Sequence, residues 1–201
     1  MLLTFLKGIG TGGGLIIAIG AQNAFVLSQG VRKNHVLPIV LICCFCDMIL
    51  IGVGVSGTGR LIAGSSLLTS VATIGGAAFL LFYGLRSFIS AFNGGQLETN
   101  GSDYRTLKSA VTATLAVTLL NPHLYLDTVV LMGSISSGFP ESGRYLFGAG
   151  AITASFIWFF SLGFGGGLLA PLFRKPLAWR ILDSFVGITM WAIACSLLLP
   201  D

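Results

Sequence analysis

Residues 37–58 read LPIVLICCFCDMILIGVGVSGT, an apolar run broken by one charge, Asp47. About 20 such residues suffice for a helix to cross a hydrocarbon core of about 30 Å. On that reading the segment spans a membrane, and Asp47, about ten residues in, lies near the bilayer centre by helix rise. Five further stretches have the same character, over approximately 4–28, 66–90, 109–133, 146–169 and 179–199. All are apolar throughout rather than alternating with period two, which excludes a closed barrel. The expected fold is therefore an all-α membrane protein with six transmembrane helices.

Composition agrees. Apolar and aromatic residues make up 54% of the 201, only 9% are charged, and the mean hydropathy is +0.91. A soluble domain carries about a quarter of its residues as charges. The 28 glycines fit membrane helices, where they allow close approach. The net charge of +4 comes from residues scattered over short loops, with no dense basic run, so a nucleic-acid partner is not expected. The apolar start, Met1 to Phe5, has no small-residue cleavage site after a charged segment and reads as a first membrane helix, not a signal peptide.

The connections are short except for NGGQLETNGSDYRT, residues 93–106, which carries Glu98 and Asp103 and reads as a polar linker. It divides a single transmembrane domain into halves 1–92 and 107–201. Loops one–two, three–four and five–six hold Arg32, Lys33, Arg86, Arg105, Lys108, Arg174, Lys175 and Arg180, against Lys7, Arg60 and Arg144 on the other side. By the positive-inside rule, loops 29–36, 91–108 and 170–178 are cytoplasmic and both termini outside. The first helix is the weakest span, because glycines break it and Lys7 lies within it. Three helices per half would give the halves opposite orientations, as in inverted-repeat transporters. Ala21-Gln22-Asn23-Ala24-Phe25 lines up, one hundred residues on, with Asn121-Pro122-His123-Leu124-Tyr125. Each is a polar interruption followed by an aromatic.

Polar groups inside hydrocarbon are expensive and point to function or to interhelical bonding. Asp47 in helix two and Asp127 in helix four read either as hydrogen-bonded structural groups or as a cation or proton site. Pro122 removes a backbone donor and is expected to leave carbonyls free near 118–119. The break it makes is either a packing kink or a broken helix whose backbone lines a cavity. Asn121 flanks the break, and His123 beside it is a candidate proton relay or a packing residue. The amides of Gln22 and Asn23 suit a zwitterion's carboxylate and amine, or bridge helices. Cys43, Cys44, Cys46 and Asp47 suggest a metal cluster. However, positions 43 and 46 share a helical face that 44 does not, and the second ligand pair of a structural zinc site is missing. Neither a metal nor a cofactor is expected. Gly8-x-Gly10-x-x-Gly13 matches a dinucleotide fingerprint formally but lacks the βαβ setting. The spacings Gly10 to Gly14 and Gly163 to Gly167 suit close helix packing.

Through these residues and their neighbours the chain resembles the LysE family of amino-acid exporters, in its basic-substrate branch. The matching segments are GAQNAFVLSQG (20–30), Arg32-Lys33-Asn34-His35, Cys46-Asp47, LLNPHLYLDT (119–128), ASFIWFF (154–160), and Arg180-x-x-Asp183 with Gly187 and Met190. Neutral-amino-acid members differ, with a proline-glycine motif in helix one and Asn-Pro-Lys in helix four. The resemblance implies a multi-pass inner-membrane exporter of L-arginine or L-lysine, powered by the proton gradient and working as an oligomer such as a homodimer. It implies no enzyme activity. Asp47 and Asp127 would each hold a proton or the substrate's cation, with Gln22, Asn23, Asn121, Pro122 and His123 shaping the site. An exporter of neutral amino acids or of a metal cation is the alternative. An intramembrane aspartyl protease would also use two buried aspartates, but the Gly-x-Gly-Asp motif is missing around Asp47 and Asp127.

Overall fold

The computed structural model of the chain describes residues 1–17, 20–57, 66–92, 106–169 and 176–198, and among them all regular structure is helical. The elements are α1 (Leu2–Ile17), α2 (Ala21–Val31), α3 (Val36–Val55), α4 (Ser66–Phe92), α5 (Leu107–Leu119), α6 (Pro122–Tyr125), a π-helical turn (Leu126–Leu131), α7 (Met132–Ser137), α8 (Glu141–Leu169) and α9 (Pro176–Leu198). Three helices are long and apolar enough to cross a membrane unaided: α3, the Thr73–Phe92 part of α4, and α8 through Leu168. Two bent pairs bring the number to five if each counts as one span: α1 with α2, bent by 79°, and α5 with His123–Ser137, bent by 63°.

The expected first span over 4–28 is thus two helices. Gly20 is extended (φ −129°, ψ 173°) and starts α2 afresh. The span over 109–133 breaks where Asn121-Pro122 predicts. Of the linker 93–106, only Thr106 lies within the described residues; its hydroxyl caps α5 by accepting the Ser109 N–H at 3.2 Å. Residues 170–175 of the expected loop 170–178 also lie outside them, as do Arg60, Arg105, Arg174 and Lys175. The loop expected over 29–36 is shorter, since α2 runs to Val31 and α3 starts at Val36. This tight turn holds Lys33 (φ 53°) and His35 (φ 46°) in the left-handed region.

α3 shows how burial is arranged without water. Leu37, Leu41, Phe45 and Ile49, four residues apart, form an exposed apolar stripe, while Ile39, Val40, Cys43, Cys44, Asp47 and Ile51 are buried. A stripe of large apolar side chains facing outward is the surface that lipid solvates. With no hydrophobic difference between lipid and helix to drive association, small residues set the contacts. A Cβ on Gly8 would strike the Phe147 carbonyl of α8, and one on Gly12 would lie 2.7 Å from the Ala151 Cα. Gly30 meets Gly163 in the same way, joining α2 to α8, and Gly54 meets Thr128 and Val129, joining α3 to the π turn. Gly163 therefore packs as expected, but on α1 the close face is Gly8 and Gly12. Gly10 and Gly14 have open space where a Cβ would stand. Spacing of four was legible; helix rotation, which the partner sets, was not. α4 packs along α9, where Trp191 stacks edge-on against Phe88 at 5.1 Å and donates Nε1–H to the Leu81 carbonyl at 3.1 Å. The Lys7 ammonium lies 5.8 Å from the Phe139 ring centre, so the start of α1 and the α7–α8 turn share one end of the bundle.

Candidate functional site

Both breaks open onto one cavity of about 320 Å³. From the first break come Ile16, Gly20, Gln22 and Asn23; from the second, Asn121, His123, Leu124 and Asp127; Asp47 reaches it from α3 and Phe159 from α8. Six of the seven expected site residues line this space. The seventh, Pro122, stands between two of them as the first residue of α6, where its missing N–H and fixed φ suit a helix start.

Each break is bound up by its own side chains. Asn23 donates Nδ2–H to the Ile16 carbonyl at 2.7 Å, taking up an acceptor left over at the end of α1. Its Oδ1 accepts Nε1–H of Trp158 on α8 at 3.2 Å. At the second break, Asn121 Oδ1 accepts the His123 N–H at 3.2 Å and so caps α6. The Tyr125 hydroxyl donates back to the Leu119 carbonyl at 2.7 Å, and Asn121 N–H donates to the Thr118 carbonyl at 3.4 Å. The carbonyls expected to be free at 118–119 are therefore each already acceptors. The second break offers the cavity side chains more than bare backbone.

Beyond α6 the helix widens into the π turn, which carries Asp127 and Thr128. Such turns re-aim side chains and recur at functional positions. Thr128 donates to the Leu124 carbonyl at 2.5 Å, and the Asp127 carbonyl accepts Met132 N–H. Asp127 is half-buried and His123 exposed.

Asp47 is 1% exposed. Ser155 Oγ, on α8, donates to its Oδ2 at 2.7 Å, while Oδ1 is buried with no hydrogen-bond partner among the described residues. The Gln22 Nε2 is in the same condition. A buried polar atom left unmatched costs about 1–3 kcal/mol, more if charged. Gln22 and Asp47, the residues that carry these two unmatched atoms, both line the cavity. Cys43 and Cys44 are buried on α3 and Cys195 is exposed; among the described residues, no three His, Cys, Asp or Glu side chains gather as metal ligands.

A second polar cluster stands about 15 Å along α2 from Gln22, by helix rise. Arg32, at the end of α2, pairs with Asp183 of α9 at 2.6 Å, and Ser90 of α4 donates to the other Asp183 oxygen at 2.7 Å. Between the cluster and the cavity lie the buried Phe25 and Tyr83, their ring centres 5.6 Å apart, with Val186 and Met190. The sequence places Arg32, Asp183, Ser155 and Trp158 in the family-matching segments but not among the candidate site residues, and it does not mark Ser90. Ser155 and Asp183 each interrupt an apolar stretch, and that was the available signal. Arg32 and Asp183 are 151 positions apart, and only the fold pairs them.

The family model described as LysE type translocator matches residues 14–200. Among curated proteins, the arginine exporter protein ArgO of Pectobacterium atrosepticum is 41% identical over 98% of this chain and 97% of its own length. The ArgO of Serratia proteamaculans is 38% identical over the same shares. A protein provisionally named amino-acid transporter YggA in Aeromonas salmonicida is 45% identical over 98% of this chain and 96% of its own. No solved structure matches the chain.

Proposed function

The chain belongs to the LysE family of translocators, and from that premise we propose that it exports basic amino acids, L-arginine first and L-lysine second, across the inner membrane. The observation that carries this reading is the Asp47 carboxylate: buried in a span, one oxygen held by Ser155, the other without a partner among the described residues, on a side chain that lines the cavity together with Asp127. Such a group suits a guanidinium or ammonium. The amides of Gln22 and Asn121 suit the amino and carboxylate ends of a free amino acid, and the cavity volume is within the range of small-molecule sites. The relatives named as arginine exporters support arginine over lysine.

In this reading the chain crosses six times. α3, α4 and α8 are straight spans, α1–α2 and α5–α7 are broken ones, and α9, whose 23 residues reach about 35 Å, is the sixth. Two inverted halves, 1–92 and 107–201, each begin with a broken span that brings an amide to the cavity, the feature that supports the pairing. The basic end is cytoplasmic.

A cation leaving the cell moves against an inside-negative potential at about 2.3 kcal/mol per charge per 100 mV. A proton entering in exchange offsets that electrical work, and competition between proton and substrate for Asp47 couples the two fluxes. Rocking of the halves about the breaks exposes the cavity to each side in turn. The test is excretion from cells that lack their own arginine exporter, fed arginine-, lysine- or threonine-containing dipeptides. Arginine excretion should rise most and lysine excretion less. Threonine excretion without arginine excretion contradicts the reading and favours a neutral-amino-acid exporter.

A further inference from the structure

We propose that Asp183 and Ser90 form a second cation site on the substrate's route, at the basic end of the bundle, which the chain's own Arg32 fills in this conformation. The inference rests on the proposed export of basic amino acids and adds a site to it. Asp183 is 2% exposed and lies among apolar residues of α9 and α4, yet it accepts from two groups, Arg32 at 2.6 Å on one oxygen and Ser90 at 2.7 Å on the other. This is a built receptor for a guanidinium, and the guanidinium in it is tethered to the end of α2. Arg32 follows directly on α2 and leads into the turn whose Lys33 and His35 are left-handed, so its hold on Asp183 depends on how α2 lies against α9. α2 is also the element that brings Gln22 and Asn23 to the cavity.

The geometry makes Arg32 a tethered stand-in for substrate. With Arg32 seated, the basic end is closed by the ion pair and, above it, by the packed Phe25 and Tyr83 rings. When α2 swings away from α9, Asp183 is exposed without its cation, and the nearest replacement is the side chain of a basic amino acid arriving from that face. Substrate and Arg32 therefore alternate on one carboxylate. The site selects for a positive side chain before the substrate reaches Asp47. A neutral amino acid offers Asp183 only its α-ammonium, which its own carboxylate partly neutralises, and compensates it less well than a cationic side chain does.

The test is initial uptake of labelled arginine into inside-out vesicles, where the basic end faces the medium, measured over a range of arginine concentrations. Arg32→Gln removes the competitor and should lower the half-saturating concentration several-fold. Asp183→Asn removes the receptor and should raise it about tenfold. The double variant Arg32→Gln with Asp183→Asn leaves no unpaired charge in this cluster and should behave like Asp183→Asn while remaining folded. A simple structural clasp predicts otherwise: Arg32→Gln and Asp183→Asn shift half-saturation in the same direction, or the double variant transports as the wild type does. Either result overturns the second site while leaving export intact. Wild-type vesicles that take up no basic amino acid would instead overturn the proposed function itself.

Discussion

Asp47 and Asp183 are buried to the same degree, 1% and 2% exposed, and each accepts a serine hydroxyl at 2.7 Å, from Ser155 and Ser90 respectively. They differ in the second oxygen. That of Asp183 meets Arg32; that of Asp47 is buried and meets no donor among the described residues, on a side chain that lines the cavity. In this conformation one carboxylate has a cationic partner within the chain and the other has none among the described residues. Burial by itself does not mark a site. A buried charge paired inside the chain holds helices together in this conformation, and a substrate cation would have to displace that partner, whereas at Asp47 it would displace none.

The largest consequence of this contrast is in stability. Asp183→Leu strands the Arg32 guanidinium and should lower unfolding stability by about 3–5 kcal/mol. Asp47→Leu strands no cation and should shift it by less than about 1 kcal/mol, because the carboxylate it removes was itself under-satisfied. Thermal unfolding in detergent compares the two, and equal losses would break the distinction. A control that touches packing and no charge comes next. Gly8→Ala drives a methyl into the Phe147 carbonyl and should cost about 1–3 kcal/mol, whereas Gly10→Ala, in open space, should stay within about 0.5 kcal/mol.

Smaller effects sharpen the Asp47 side. Gln22→Ala and Asn121→Ala should each weaken arginine binding about tenfold, the equivalent of one good hydrogen bond to a charged group. Unchanged isotherms in both would move the substrate elsewhere in the cavity. Ser155→Ala, which removes only the hydroxyl that orients Asp47, should weaken binding about fivefold, near 1 kcal/mol, without the stability loss of Asp183→Leu.

Much of this was legible in the sequence because membrane spans announce themselves. A lone charge, Asp47, in a 22-residue stretch of largely apolar character, or Asn-Pro-His inside another span, stands out where every polar atom must be accounted for. The cavity gathers Gln22, Asn23, Asp47, Asn121, His123 and Asp127, all visible as flaws in apolar runs. What stayed hidden depends on rotation and pairing. Gly8 and Gly10 are indistinguishable until α8 chooses a face of α1. The Leu119 carbonyl could be assigned to Tyr125 only once the chain had turned back on itself. The π turn that places Asp127 adds one residue to a helical turn and leaves no mark in composition. Arg32 reads as an ordinary cytoplasmic loop charge until α9 brings Asp183 beneath it.

In the proposed mechanism Asp47 exchanges a proton for the substrate's cation. This exchange is tested most directly with purified Asp47→Asn protein in liposomes carrying a pH gradient and labelled arginine. The expected result is a folded, inserted protein whose gradient-driven arginine accumulation falls by a factor of about 100 or more, the loss expected when a charged partner worth about 3 kcal/mol is removed. Accumulation of arginine uphill at the wild-type level would contradict it.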